Sequence, residues 1–319
     1  MATRFTLRQL EYLVAVGEAG SIALAAEKVH VSSPSISTAI SQLEAEFGLQ
    51  LFLRRHAQGL ALTQAGRQFM EQARNVLREA AALGSLAGEI SGNVQGPMAV
   101  GCLSTFAELI LPGLRREFEN RYPDVVLRQS ELHQQDLIEG LRGGNLDIAL
   151  TYDLDVPDDL RFVPLASLPP YVLLPANHPL AGCDALCVSD LAELPMVLLD
   201  LPLSRDYFLS VFREAGVVPR IAERTRDMAV MRSLVGNGFG YSIANMRPLG
   251  DLSPDGRPLR CIPLSGEVRP MRMGLLMAAG SDTVLTVTAF IEHCREAAAA
   301  GRVAGLRSVP PRDSAPAAG

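Results

Sequence analysis

The chain has 319 residues, 48% of them apolar, and a formal net charge of −6. That is enough length and apolar material for two or three globular domains. With a pI near 5.5 it is not a protein that coats nucleic acid by bulk attraction, which needs a strongly basic surface. Residues 1–60 balance five Lys/Arg against five Asp/Glu, so any nucleic-acid contact there has to come from local geometry.

The opening Met-Ala-Thr-Arg-Phe-Thr-Leu-Arg has no continuous apolar run of the kind a signal peptide needs, and no later stretch is long and apolar enough to cross a bilayer. A cytoplasmic location without a membrane partner is expected. Ser21 is then placed to cap a short helix in which Ala25 and Ala26 are small enough for another helix to cross closely, with Val29 and Val31 plugging the turn. Ser33 followed by Pro34 reads as N-cap and first residue of the next helix. Ile36, Ile40, Leu43 and Phe47 recur at helical spacing and predict one buried face. The opposite face carries Ser33, Pro34, Ser37, Thr38 and Ser41, short side chains suited to base edges and phosphates. The bland alternative is the solvated side of an ordinary helical hairpin.

Residues 51–63 alternate apolar positions around a polar tip containing Gly59, the pattern of a hairpin or wing, with Arg54 and Arg55 at its base. Paired arginines beside a helix-turn-helix can clamp a phosphate or enter a minor groove. A winged helix-turn-helix over residues 1–62 is therefore predicted. From 63 to 90 Thr63 can cap a long helix in which Phe69, Ala73, Val76, Ala80, Leu83, Ala87 and Ile90 alternate at steps of four and three. A strict 3.5-residue period is a coiled-coil seam, and its alanines permit close approach of two helices. This predicts dimerisation, with double-stranded DNA read as a partial palindrome.

Residues 91–97, Ser-Gly-Asn-Val-Gln-Gly-Pro, read as a hinge. Beyond it strands at 98–103, 125–130 and 146–151 alternate with helices at 106–121 and 134–142, a rhythm that predicts a parallel sheet flanked by helices. A second set follows: strands at 171–174, 197–199 and 241–244, and helices at 205–215 and 227–236. The strand at 271–277 and the helix at 282–298 return to the first set. An effector domain over 98–300 is expected, with lobe I at about 98–169 and 271–300, lobe II at about 170–270, and a tail at 301–319 without fixed structure. Open α/β lobes bind ligands beyond the carboxyl ends of their strands. That rule selects Ser104, Thr105, Ser130, Thr151 and Tyr152 from one lobe and Leu203 and Ser204 from the other, a set suited to a small anionic or polar effector.

Five cysteines, Cys102, Cys183, Cys187, Cys261 and Cys294, give neither a disulfide framework nor a paired zinc spacing. Cys183 and Cys187, with His178 nearby, leave a redox-sensing regulator as an alternative. Gly236-Asn-Gly-Phe-Gly240 follows a helix and precedes a strand, the reverse of a phosphate-binding turn, and reads as a helix C-cap. The five histidines are scattered without a nucleophile elbow or zinc-helix motif, so no enzyme, cofactor or metal site is expected. A solute-binding or enzymatic α/β protein with a helical assembly domain is the other competing class.

The N-terminal third resembles the LysR-type transcriptional regulators through Leu7-Arg-Gln-Leu10, Gly20-Ser21, Ala25-Ala26, Val31-Ser32, Pro34, Ser37, Leu43-Glu44, Gly48, Leu51-Phe52, Arg54 and Leu62-Thr63-x-Ala65-Gly66. The rest resembles them more loosely through Leu111-Pro112, Phe118, Tyr122-Pro-Asp-Val125, Gly144-x-Leu-Asp147 and Gly238-x-Gly240. The resemblance implies an α+β multi-domain protein: a winged helix-turn-helix, a long linker helix, and a two-lobed α/β domain like the periplasmic binding proteins. It further implies a transcriptional regulator controlled by a small-molecule effector between the lobes, a homodimer or homotetramer, with RNA polymerase as a possible partner. Members of the family often carry a glutamine at the position of Ser33 and an arginine at that of Thr38. Their absence leaves no bidentate reader of guanine near the start of this helix. Tyr152 stands where some members that respond to aromatic acids have a basic residue.

Overall fold

The computed structural model describes residues 4–55, 59–91 and 93–303. Its first helix, α1 (Leu7–Ala19), opens on a reciprocal cap in which the Thr6 hydroxyl accepts from the Gln9 N–H and the Gln9 side chain accepts from the Thr6 N–H. Gly20 ends it in the left-handed region, φ 63°. Next come α2 (Ile22–Lys28) and α3 (Ser33–Phe47), crossing where Ala25 and Ala26 are buried. The N-cap of α3 is Ser32, one residue earlier than the sequence predicts. Its backbone is extended (φ −77°, ψ 143°) and its hydroxyl accepts from the Ser35 N–H, so Ser33 is already helical. Ile36, Ile40 and Leu43 are buried as predicted. Phe47 is instead 39% exposed: α3 ends with it, and its ring rests on the rim against Phe5 and Phe69, centroids 5.6 and 4.7 Å away.

The wing is an antiparallel pair, β1 (Phe52–Arg55) and β2 (Gly59–Leu62). It is tied at two points. The Leu60 N–H donates to the Gly20 carbonyl at 2.7 Å, and Glu44 Oε1 on α3 accepts from the backbone N–H groups of Leu51 and Phe52 at 2.7 and 3.1 Å. The sequence alone assigns Glu44 no role.

The linker helix α4 (Gln64–Ser91) starts where the Thr63 hydroxyl accepts from the Gly66 N–H and donates to the Gln50 carbonyl, both at 2.8 Å. Its predicted seam is corrected in part. Ala73 is 3% exposed and belongs, with Phe69 beside it, to the core of the winged helix. That stretch of the seam is occupied within the protomer, because a heptad pattern does not say which partner covers it. Val76 and Leu83 are 41% and 68% exposed, and Ala80 is half-buried. The side chains of Ala87 and Ile90 lie outside the described residues.

The remaining elements are β3 (Gly96–Cys102), α5 (Ser104–Leu109), α6 (Leu111–Arg121), β4 (Val125–Glu131), α7 (Gln134–Arg142), β5 (Ile148–Tyr152), β6 (Leu160–Leu168), β7 (Tyr171–Pro175), β8 (Pro195–Leu199), α8 (Ser204–Glu214), β9 (Arg220–Thr225), α9 (Met228–Gly236), β10 (Ser242–Ala244), β11 (Leu259–Pro263), β12 (Met271–Ala278) and α10 (Leu285–Ala299). One sheet has the order β4-β3-β5-β12-β6. β3, β4 and β5 run parallel, whereas β12 is antiparallel to both β5 and β6, which corrects the all-parallel expectation. The chain returns from the second lobe at the end where β5 leaves, pairing Met273 with Tyr152, so β12 has to run the opposite way.

In the second lobe β10-β7-β11 is antiparallel and β8-β9 parallel, joined by a bridge between Met196 and Tyr241. One apolar core runs through both lobes. The helix expected at 106–121 is two helices, broken at Ile110 (φ −122°, ψ −58°) shortly before Pro112. The predicted glycine-rich segment leaves α9 through the C-cap Asn237, with Gly238 at φ 82°, and enters β10.

Candidate DNA-reading face and effector cleft

Burial divides α3 lengthwise. Ile36, Ala39, Ile40 and Leu43 face the core, while Pro34, Thr38 and Ser41 are exposed and Ser33 and Ser37 half-buried. The five side chains chosen from the sequence thus share the outward side of one helix, whose N-terminus is capped by Ser32. Next to it the elbow is tight: the Val31 N–H donates to the Ala26 carbonyl at 3.0 Å, and His30 takes a left-handed φ of 54°. Arg4 approaches Glu46 at 3.8 Å while 79% exposed. The backbone of Arg54 and Arg55 lies in β1, but their side chains, like residues 56–58, lie outside the described residues.

The second candidate site is a cleft between the lobes. It holds about 680 Å³ counted to its open mouth, of which about 50 Å³ admits the centre of a water molecule. Five of the seven residues selected for it line it: Ser104, Thr105, Tyr152, Leu203 and Ser204. The other two do not. Ser130 is paired with Gly101 inside β4, which runs on to Glu131 instead of ending. Thr151 is fully buried, and its hydroxyl is bonded to Gln134 Oε1. It faces the protein because alternate residues of a strand point to opposite sides.

Sequence reasoning missed Gln134, whose Nε2 donates to the Leu154 carbonyl at 3.3 Å, and Asn245 at the end of β10. Asn245 is 6% exposed, its Nδ2 donates to the Leu168 carbonyl at 2.7 Å, and its Oδ1 is buried without a partner. An asparagine after a short strand gives no signal of this in sequence. The Tyr152 phenol is pushed up by burial, offset by a hydrogen bond with the Thr105 side chain, and its ring packs 4.7 Å from that of Phe106. Leu203 opens α8 at φ 65° and ψ −48°, a conformation a branched side chain rarely holds and one that clusters at binding sites.

Among the described residues that line this cleft there is no cysteine. Cys183 is exposed, Cys187 is half-buried, and Cys102, Cys261 and Cys294 are buried. The Cys187 thiol lies 3.0 Å from both Asp190 Oδ2 and Ser189 Oγ. Hydrogen bonds from its thiol and backbone hold the Asp190 carboxyl below the usual range. A carboxylate neighbour is the reverse of the cationic setting that activates a thiol. His178 is engaged with its own loop, accepting from the Leu180 N–H. Among the described residues no helix is long and apolar enough to cross a membrane.

The linker helix touches the first lobe. Gly144, at φ 66°, comes so close to the Arg78 guanidinium on α4 that a Cβ there would sit 2.2 Å from Nη1. Burial raises the neighbouring Asp147 carboxyl, while its bond from the Ala99 N–H at 2.7 Å and the charge of Arg78 pull the other way.

Two family descriptions match the chain: "Bacterial regulatory helix-turn-helix protein, lysR family" over residues 7–67 and "LysR substrate binding domain" over residues 91–299. The chain is 30% identical over 238 residues to the DNA-binding transcriptional dual regulator OxyR of Escherichia coli (strain K12), covering 74% of this chain and 78% of that one. Among solved structures it is similar to HinK, a LysR family transcriptional regulator from Pseudomonas aeruginosa, at 36% identity and a TM-score of 0.61 over 92% of this chain and 98% of that one. It is also similar to CbnR, a LysR family regulator solved at full length with its target DNA, at 25% identity and a TM-score of 0.64 over 92% and 99%.

Proposed function

The chain belongs to the LysR family of DNA-binding transcriptional regulators, and from that premise we propose which of its residues carry the work. Ser33, Pro34, Ser37, Thr38 and Ser41 on α3 enter the major groove, and Arg54 and Arg55 of the wing hold flanking phosphates or the adjacent minor groove. The observation that carries this reading is the division of α3 into a buried Ile36, Ile40 and Leu43 side and an exposed Pro34, Thr38 and Ser41 side. The solved complex of CbnR with its target DNA supports it. Two copies pair through the exposed Val76 and Leu83 of α4, so that two winged helices address two half-sites. A small molecule in the cleft favours one arrangement of the lobes, and the contact of Arg78 with Gly144 passes the change to α4. The protein works as a regulator in the cytoplasm and not as an enzyme, in keeping with the regulators it resembles.

A footprint of the purified protein on the DNA upstream of its own gene tests this reading. Sequence-dependent protection of two half-sites about one helical turn apart is expected, and its absence at every salt concentration would remove the proposal. Arg54→Ala should weaken binding across most sequences while leaving self-association unchanged.

A further inference from the structure

We propose that the effector is an uncharged, mainly apolar small molecule with a hydroxyl or N–H group that donates to Asn245 Oδ1. The proposal rests on the reading that the cleft is the effector site, and it replaces the anionic or polar ligand suggested by the serines and threonines of the sequence.

The first observation is the lining. Most of its wall is apolar, with Leu103, Leu201, Leu203, Phe208, Met228 and Met271 among the contributors; no lysine, arginine, aspartate or glutamate among the described residues lines it, and His133 is its basic side chain. An anion entering such a site gives up water and finds no lysine or arginine to replace it, which is costly in a medium of low dielectric. The nearest guanidinium along α8, that of Arg205, is already engaged by Asp206 at 2.9 Å and Asp200 at 3.4 Å. Farther along α5, burial and the charge of Asp227, the N-cap of α9 in the other lobe, raise the Glu108 carboxyl.

The second observation is the polar inventory. Thr151 and Gln134 satisfy each other, Gln134 also donates to Leu154, and Tyr152 is bonded to Thr105. Asn245 alone among these presents a buried oxygen with no donor. Its amide is held in orientation by the bond from Nδ2 to Leu168, so Oδ1 is an acceptor fixed in advance. A buried acceptor left unpaired is penalised, and a ligand donor there recovers the loss.

The test is a ligand-observed NMR titration of the full-length protein with three probes of one size: benzyl alcohol, toluene and benzoate. Benzyl alcohol should bind about threefold to tenfold more tightly than toluene, the worth of one neutral hydrogen bond. It should bind at least about tenfold more tightly than benzoate, from the cost of an uncompensated charge. Ser204→Trp, which fills the mouth, should abolish binding, and Asn245→Leu should level benzyl alcohol with toluene. Equal or tighter binding of benzoate that Ser204→Trp removes would overturn the uncharged class while leaving the cleft as effector site. Binding of no probe, or binding that Ser204→Trp leaves unchanged, would remove the cleft itself. The comparison on the unmodified protein decides the charge question without any variant having to fold.

Discussion

Replacing Gly66 with alanine should lift the linker helix off the winged domain. A Cβ at this position would lie 2.1 Å from the Leu51 carbonyl oxygen and 2.9 Å from its carbon, against the 3.0 Å below which real Cβ contacts essentially do not occur. The obstacle is backbone, so α4 has to retreat by about 0.9 Å, the difference between those distances. The same junction holds the bond from the Thr63 N–H to the Leu51 carbonyl at 3.0 Å and the Thr63 cap on the Gly66 N–H at 2.8 Å. Weakening the cap costs about 1 kcal/mol and the backbone bond about 1 kcal/mol, and overpacking of a tight contact costs about 1–3 kcal/mol. Replacing a helical glycine returns about 1 kcal/mol. The net expectation is a loss of about 2–4 kcal/mol in the N-terminal unit, seen in calorimetry as a fall of about 4–8 °C per kcal/mol, with weaker binding to two half-sites. Gly113→Ala, on α6 with open space around the new Cβ, is the control and should be neutral or slightly stabilising. An unchanged transition and unchanged DNA affinity for Gly66→Ala would refute the reasoning.

Ser32→Ala should cost about 1 kcal/mol by removing the α3 cap, whereas Ser33→Ala should leave stability nearly unchanged; thermal melts of the pair separate the two candidate caps. Glu44→Ala should free the backbone N–H groups of Leu51 and Phe52 at about 1–3 kcal/mol, and faster amide exchange in β1 would report it. The raised Glu108 carboxyl binds a proton more tightly in the folded protein than in the unfolded chain. Its contribution to stability is therefore fully present below its unfolded value and falls as pH rises through the folded value. Glu108→Gln should flatten that part of the melting profile above about pH 4.5, and an identical profile would contradict the raised Glu108 carboxyl.

The winged helix was legible because its signals are local: helical spacing, two alanines at a crossing, and a serine and proline at a helix start. The cap slipped by one residue because Ser32 and Ser33 are chemically alike and only the backbone angles distinguish them. β9 went unread because none of its side chains is buried, which leaves no alternation to detect. β6 carries an internal Pro164, tolerated on an edge strand beside a register shift opposite Met273 and Gly274, and a proline argues against a strand in sequence alone. The cleft was half legible. Strand ends pointed to Ser104, Thr105 and Tyr152, but neither the inward turn of Thr151 nor the orphaned Asn245 oxygen can be read from neighbours in sequence, since the partners of the Thr151 hydroxyl and the Asn245 amide nitrogen lie 17 and 77 residues away.

Selection of bound duplexes from a random DNA library by the full-length protein, followed by sequencing, tests the central claim most directly. The account predicts enrichment of an inverted pair of half-sites, lost when Pro34, Thr38 and Ser41 are changed together but kept when exposed Val218, far away on the effector domain, is changed. Enrichment of no motif, or of one unaffected by changes on that outward side of α3, would contradict it.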